Sequence, residues 1–325
     1  MKAVALGHAC VDITPRLDLS PGIEPGILYP VGPLRFALGG SAINTARKLH
    51  ELGTSVSMAI ATGQDTLTLI YERLLHDMGV PMQLIPTGLT TSYSIVVEHG
   101  HHDRTFWQHE GFNAAFDARQ VDLDTDQPDL VHAGYPSLVP FWCHNVDSLL
   151  ETFTAAQQRG ITTSLDLAHV GEGSVASTVD WAEWFRQVLP AVDVMSPSWD
   201  DVSSAFGLTG EPTRARMVEV ADMLLEMGVA VVQLSAGKEG FLLRTAGTGR
   251  LERAGRVLAP VAGAWADQDL WFDAEVIDEP ETTVGAGDSL TAGLLHALGM
   301  GLAPVAAGEF ARAVVGRHLR GERAK

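Results

Sequence analysis

Near the carboxyl end of the chain stands Thr282-Thr283-Val284-Gly285-Ala286-Gly287-Asp288-Ser289, directly before the helical run Leu290 to Leu298. Small residues at a helix start leave backbone N–H groups free and approachable. The helix dipole adds positive potential there. Such a turn can hold a phosphate, or the oxyanion of a phosphoryl group in transfer. Asp288 then sits beside an anion site, an awkward place for a carboxylate unless it does chemistry. It can accept the proton of an attacking hydroxyl, typically contributing about 10²- to 10⁴-fold in rate. Each preorganised oxyanion donor adds about 10²- to 10³-fold. A plain loop-to-helix turn, with Asp288 as an N-terminal charge, would use the same residues. A dinucleotide fingerprint does not fit, because Leu290 stands where its third glycine belongs and too little chain follows for a βαβ unit. No G-x-x-x-x-G-K-[ST] run occurs either.

Two further glycine-rich turns sit where chemistry is expected. In Gly39-Gly40-Ser41-Ala42-Ile43-Asn44 the glycines let backbone lie close to a ligand, and Asn44 falls in a first helical turn, able to bond a hydroxyl. Ser235-Ala236-Gly237-Lys238-Glu239-Gly240 follows an apolar run. A Gly-rich turn at the carboxyl end of a strand is a usual ligand position in α/β sheets.

The elements that must position these turns alternate. Strands are expected at Ala3 to Gly7, Ser55 to Ala61, Leu130 to Ala133, Thr162 to Leu167, Val192 to Met195 and Ala230 to Leu234. Helices are expected at Ser41 to Leu52, Leu67 to Met78, Arg216 to Met227, Ala286 to Leu298 and Pro304 to Leu319, several closed by glycine. This order predicts an α/β fold: a mainly parallel sheet covered on both faces, one main domain over residues 1–325. Asp12 to Phe36 and Thr91 to Phe112 break the pattern; the second reads as a β-hairpin. Together, at about 12–37 and 91–112, they predict a small β lid.

Composition narrows the function. With 40 acidic against 22 basic residues, the formal charge of -18 repels nucleic acid and anionic lipid, but leaves room for a local positive pocket and an anionic substrate. No run of about 18 apolar residues exists to span a membrane, and the start of the chain is too polar for a signal peptide. Cys10 and Cys143 are expected to be buried free thiols, as in a reducing cytosol. Asp122, Asp124 and Asp126 imitate a calcium loop, but Gln127 and Ala133 stand where glycine and glutamate belong, so a solvated acidic loop is expected. His99, His101, His102 and His109 lack partners at metal-ligand spacing. Phe106 and Trp107 offer a stacking surface for a sugar or base, or simple lid packing.

Taken in order, these motifs resemble the ribokinase-like (PfkB) family of carbohydrate and nucleoside kinases over nearly the whole chain. Gly39-Gly40 with Asn44 and Ala46 looks like its N-terminal signature, and Gly285-Ala286-Gly287-Asp288 like its C-terminal one. Asp12 matches an aspartate that binds substrate hydroxyls, and Gly63 and Asp65 the Gly-x-Asp after the second strand. Asp103-Arg104 resembles the lid's Gly-Glu-Arg turn, and Gly111-x-Asn113 the Gly-Ala-Asn after it. Ser235 to Gly240, including Gly237 and Lys238, resembles the turn that contacts nucleotide phosphates.

The resemblance implies an αβα sandwich with a β lid often shared across a homodimer, ATP and Mg2+ as cofactors, and transfer to a hydroxymethyl group of a sugar. It makes Asp288 the base and the amides of Gly285, Ala286 and Gly287 an anion hole. Asp12, Gly39, Gly40, Asn44, Arg104 and Asn113 become substrate residues. Ser198 and Asp201 stand in the magnesium region, where they could organise metal-bound water. Thr282 replaces an aspartate that supports a monovalent cation in many members, which weakens a potassium requirement. A nucleoside kinase and a non-catalytic sugar binder are the alternatives on the same fold.

Overall fold

A computed structural model of the protein describes residues 1–15, 25–97 and 105–322. The short apolar runs form strands buried on both faces, as a parallel sheet requires. Within the described residues nine strands make one sheet. Its order is Asp269–Phe272, Phe241–Thr245, Val231–Ser235, Val194–Met195, Thr162–Asp166, Leu130–Gly134, Lys2–Gly7, Ser55–Thr62 and Met82–Pro86. The first two are antiparallel to their neighbours, and the other neighbouring pairs are parallel. Helices cover the sheet, giving the expected ribokinase-like layers. The strand expected at Val192 is shorter, because Leu189–Ala191 forms a 3-10 turn ahead of it.

The helix Ser41–Glu51 buries Ala42, Ile43, Ala46 and Leu49, the face that its spacing predicts. The helix Thr66–Met78 begins with Asp65 as its cap and ends at Gly79 in the left-handed conformation. Burial alone would raise the Asp65 carboxyl, but hydrogen bonds from Thr91 and Thr68 hold it below the ordinary range. The pair ties the helix start to the foot of the lid, with Thr91 N 3.0 Å from Asp65 Oδ2. Residue Asp122 is likewise a cap, accepting from the amides of Asp124 and Thr125. That explains the calcium-loop mimicry without a metal.

The lid is a separate four-stranded sheet in the order Leu34–Gly39, Cys10–Pro15, Tyr93–Val97, Thr105–His109. Register places Asp12 opposite Ala37 and Ser94, and Val96 opposite Phe106, so these share one face. The row Phe36, Ile13, Ile95, Trp107 occupies the other face. Gly111–Ala115, expected at the lid's end, instead forms a 3-10 turn with Phe112 buried against Tyr71. Both cysteines are free and buried.

His132, mid-strand, meets Ser164 Oγ at 3.0 Å through Nδ1, while its buried Nε2 has no partner among the described residues. Burial lowers its pKa from 6.5 to about 3. The folded ring is therefore neutral where the unfolded ring binds a proton. Its stabilising contribution is complete above pH 6.5 and is lost as pH falls toward 3. At pH 5 the loss is about 2 kcal/mol. His132→Asn should therefore lose about 2 kcal/mol less than wild type between pH 7 and pH 5 in urea unfolding. Equal losses in the two proteins would refute this assignment.

Candidate active site

The helix Ala286–Gly299 is buried from Asp288 onward over most of its length and packs against both Ser41–Glu51 and Pro304–Leu319. Gly285 caps it at φ 79°, a left-handed conformation that side chains rarely adopt. This turn swings the chain so that Asp288 faces the helix Ser41–Glu51. Asn44 Nδ2 donates to Asp288 Oδ2 at 2.9 Å, and Thr45 Oγ1 donates to Oδ1 at 3.4 Å. Burial pushes the Asp288 carboxyl above the ordinary range, opposed by hydrogen bonding from Asn44, Ser41, Tyr135 and Thr45. Of these, the Ser41 hydroxyl completes no bond of good geometry. The result is a buried carboxylate held by neighbours on another helix.

Among the described residues, the amides of Gly285 and Gly287 have no hydrogen-bond partner, whereas that of Ala286 donates to the Thr283 carbonyl at 3.3 Å. Two of the three expected anion-hole donors are thus open. The turn is braced by the last helix. His318 Nε2 meets the Val284 carbonyl at 2.7 Å, and Glu281 N donates to the Leu319 carbonyl at 2.8 Å. Thr282 Oγ1 accepts from the Val284 amide at 3.2 Å.

In front of Gly285 opens a cleft of about 380 Å³, lined by Asp12, Asn44, Arg35, Arg47 and Phe106 among others. The face of the lid carrying Asp12 forms one wall, and the helix Ser41–Glu51 another. Phe106 is in this wall, while Trp107, one residue on, belongs to the opposite lid face. Gly39 and Gly40 lie close to the chain itself: an added Cβ at Gly39 would meet Asp12 Oδ2 at 2.4 Å, and one at Gly40 the His8 carbonyl at 2.3 Å. Their smallness seats the Asp12 carboxylate and starts the helix, with Gly40 at φ 97°. Asn113 is placed elsewhere: its Oδ1 accepts from Ala9 N at 3.4 Å and its Nδ2 donates to Ala9 O at 3.0 Å. That is a structural bridge to the end of the first strand, away from the cleft lining. Arg104, with His99, His101 and His102, lies outside the described residues.

Across the sheet's carboxyl edge, Ser235 ends its strand and the turn Gly237–Glu239 follows, with Lys238 exposed and Ala236 N bonded to Gly240 O at 2.8 Å. Ser235 is bridged to Ser198, so the two turns lie side by side. Ser198 and Asp201 form a capping box at the start of the helix Trp199–Phe206, which gives their spacing a structural reason. Burial lifts Asp201 to about 6 against those bonds. Together with His169 they line an open hollow.

Two residues here were absent from the sequence reading. Asp166 ends a buried strand, with its own carboxylate accepting from Leu167 N at 2.8 Å and from Thr291 Oγ1 at 3.5 Å. Burial, then the charges of Asp288 and Asp201, raise it well above the ordinary range. Tyr135, at φ 60°, is raised by burial and by the same three carboxylates. A carboxylate at the carboxyl end of an apolar run was the available signal for Asp166. Among the described residues no group of three His, Cys, Asp or Glu is set to hold a metal unaided. Magnesium needs few protein ligands and prefers hard oxygens, so a crowded Asp166–Asp201 pair fits it.

The family model described as pfkB family carbohydrate kinase matches residues 1–316. Ribokinase from Thermotoga maritima superposes with a TM-score of 0.72 at 18% identity, over 98% of this chain and 93% of that one. A nucleoside kinase from Methanocaldococcus jannaschii gives 0.68 at 16% identity, over 99% and 93%. An ATP-dependent 6-phosphofructokinase isozyme 2 of Mycobacterium tuberculosis is 33% identical over 90 residues, 28% of this chain and a quarter (25%) of that protein's length. Among the described residues no helix is long and apolar enough to cross a membrane. With almost its entire length matched, the chain belongs to the pfkB family of carbohydrate kinases.

Proposed function

We propose that this chain transfers the γ-phosphoryl group of ATP to a hydroxymethyl group of a small carbohydrate. The observation that carries this reading is Asp288. It is a buried carboxylate in the first turn of the helix Ala286–Gly299, held by Asn44 at 2.9 Å, with open amides at Gly285 and Gly287 beside it. In this reading Asp12 and Asn44 hold acceptor hydroxyls in the cleft. Asp288 takes the proton of the attacking hydroxyl as its oxygen bonds to phosphorus and the bond to ADP breaks. The Gly285 and Gly287 amides receive the charge on the equatorial oxygens.

Ser235, Gly237, Lys238 and Gly240 cradle the nucleotide phosphates. Asp166 and Asp201, with Ser198, would hold a magnesium ion, which supplies charge neutralisation at those phosphates. The lid closes over the acceptor and excludes water, limiting hydrolysis of ATP. Two copies pair through the lid face bearing Phe36, Ile13, Ile95 and Trp107, a partly exposed apolar row.

The test is acceptor-dependent ADP formation with magnesium-ATP across ketoses, aldoses, sugar phosphates, sugar acids and nucleosides. One class should raise ADP formation far above the acceptor-free rate. Phe106 in the cleft wall supplies a ring for a base to stack on, so nucleosides belong in the panel as the second reading. Folded protein that binds ATP but forms ADP with none of them would sink the kinase reading.

A further inference from the structure

The kinase reading gives no task to Arg47, one of the cations lining the cleft. Arg47 lies one helical turn beyond Asn44 on the same face, about 4.5 Å further along the helix axis. Its guanidinium has five N–H donors. Among the described residues only one is used: Nη2 donates to the Leu38 carbonyl at 3.3 Å. Among the described residues it forms no ion pair, while its neighbour Lys48 is matched with Glu51 at 2.7 Å. It is nevertheless largely withdrawn from water, and burial depresses its pKa against the pull of Glu51, Asp288 and Asp12. A cation in that position, with donors facing a cleft, is stabilised by an anion brought in from outside. The protein as a whole carries -18, whereas the cleft lining balances Asp12, Glu51 and Glu322 with Arg35, Arg47 and Lys48, so the acceptor site is less hostile to an anion than the rest of the chain.

We propose that Arg47 reads an anionic group on the acceptor, so that the preferred acceptor is a small sugar bearing a phosphate monoester or a carboxylate. The anion would sit on the Arg47 side of Asn44, leaving the opposite end of the sugar toward Asp288. A cleft of about 380 Å³ suits a molecule of that size. This rests on the kinase reading for the fate of the sugar, but the binding claim can be tested without turnover.

The experiment is calorimetric titration of the full chain, wild type, Arg47→Gln and Arg47→Lys, with fructose 6-phosphate, gluconate and fructose. ADP formation is measured separately with the same three compounds. The wild type should bind at least one anion about 10-fold or more tightly than fructose. Arg47→Gln should weaken that anion by about 10- to 100-fold while leaving fructose and ATP within about 3-fold, and Arg47→Lys should restore part of the loss. The phosphate and carboxylate arms identify which anion is read. The proposal is overturned if neither anion binds better than fructose. It is overturned equally if Arg47→Gln weakens all three compounds alike, which would mark a purely structural role through Leu38. Anion binding that depends on Arg47, with no ADP formed from any acceptor, would instead sink the kinase reading alone.

Discussion

Asp288→Asn should lower acceptor-dependent ADP formation by about 10²- to 10⁴-fold, with nucleotide and acceptor binding within about 3-fold of wild type. The substitution is close to isosteric and leaves an oxygen to accept from Asn44, which donates at 2.9 Å in the native protein. It also removes a buried negative charge, since burial lifts the Asp288 carboxyl above its usual range. The apo protein should therefore melt no lower than wild type. These outcomes separate a base from a structural carboxylate. A merely structural Asp288 would show as a lower Tm with modest loss of rate. A variant that keeps more than about a tenth of the wild-type rate contradicts the base role.

How legible was this arrangement? The alternation of apolar runs with amphipathic segments carries the parallel sheet and its helices, because burial on both faces imposes a pattern on every strand. The Gly285 turn was legible for a similar reason: few residues tolerate φ 79°. The glycines at 39 and 40 were read as letting backbone lie close to a ligand, and sequence could not say which parts of the chain itself press on them. They are Asp12 and the His8 carbonyl, contacts made across the chain. Asn113 looked like a ligand residue, and only the fold reveals both ends of its amide bonded to Ala9. The antiparallel strands Phe241–Thr245 and Asp269–Phe272 at one end of the sheet went unread, since they are short, with weak periodicity of their own. Thr45, Tyr135, Asp166 and His318 were missed because their meaning lies in what they face. Thr45 and Tyr135, distant in sequence, both favour ionised Asp288, and no spacing rule connects them to it.

Asp166 permits the sharpest test of the nucleotide side. It is 3% exposed, it shares its surroundings with Asp201 and Asp288, and burial is the main cause of its raised pKa. A carboxyl whose folded pKa is raised favours the fold most at acid pH. That contribution is lost as pH rises through the folded pKa, so ionised Asp166 is a burden on the apo protein near neutrality. Asp166→Asn should relieve this burden, and the apo Tm at pH 7 should rise. The same change removes an oxygen that magnesium would use. The magnesium concentration for half-maximal rate should then increase by about 10- to 100-fold, as with other losses at metal sites. The opposed signs discriminate between readings. If Asp166 only supports Leu167 N and Thr291, the variant should lose stability and keep its magnesium dependence. If it holds the metal, the variant should gain stability without magnesium and lose rate at low magnesium, a loss that excess magnesium partly restores. Unchanged magnesium dependence in a well-folded variant would remove Asp166 from the metal site and leave Asp201 as the proposed carboxylate for it.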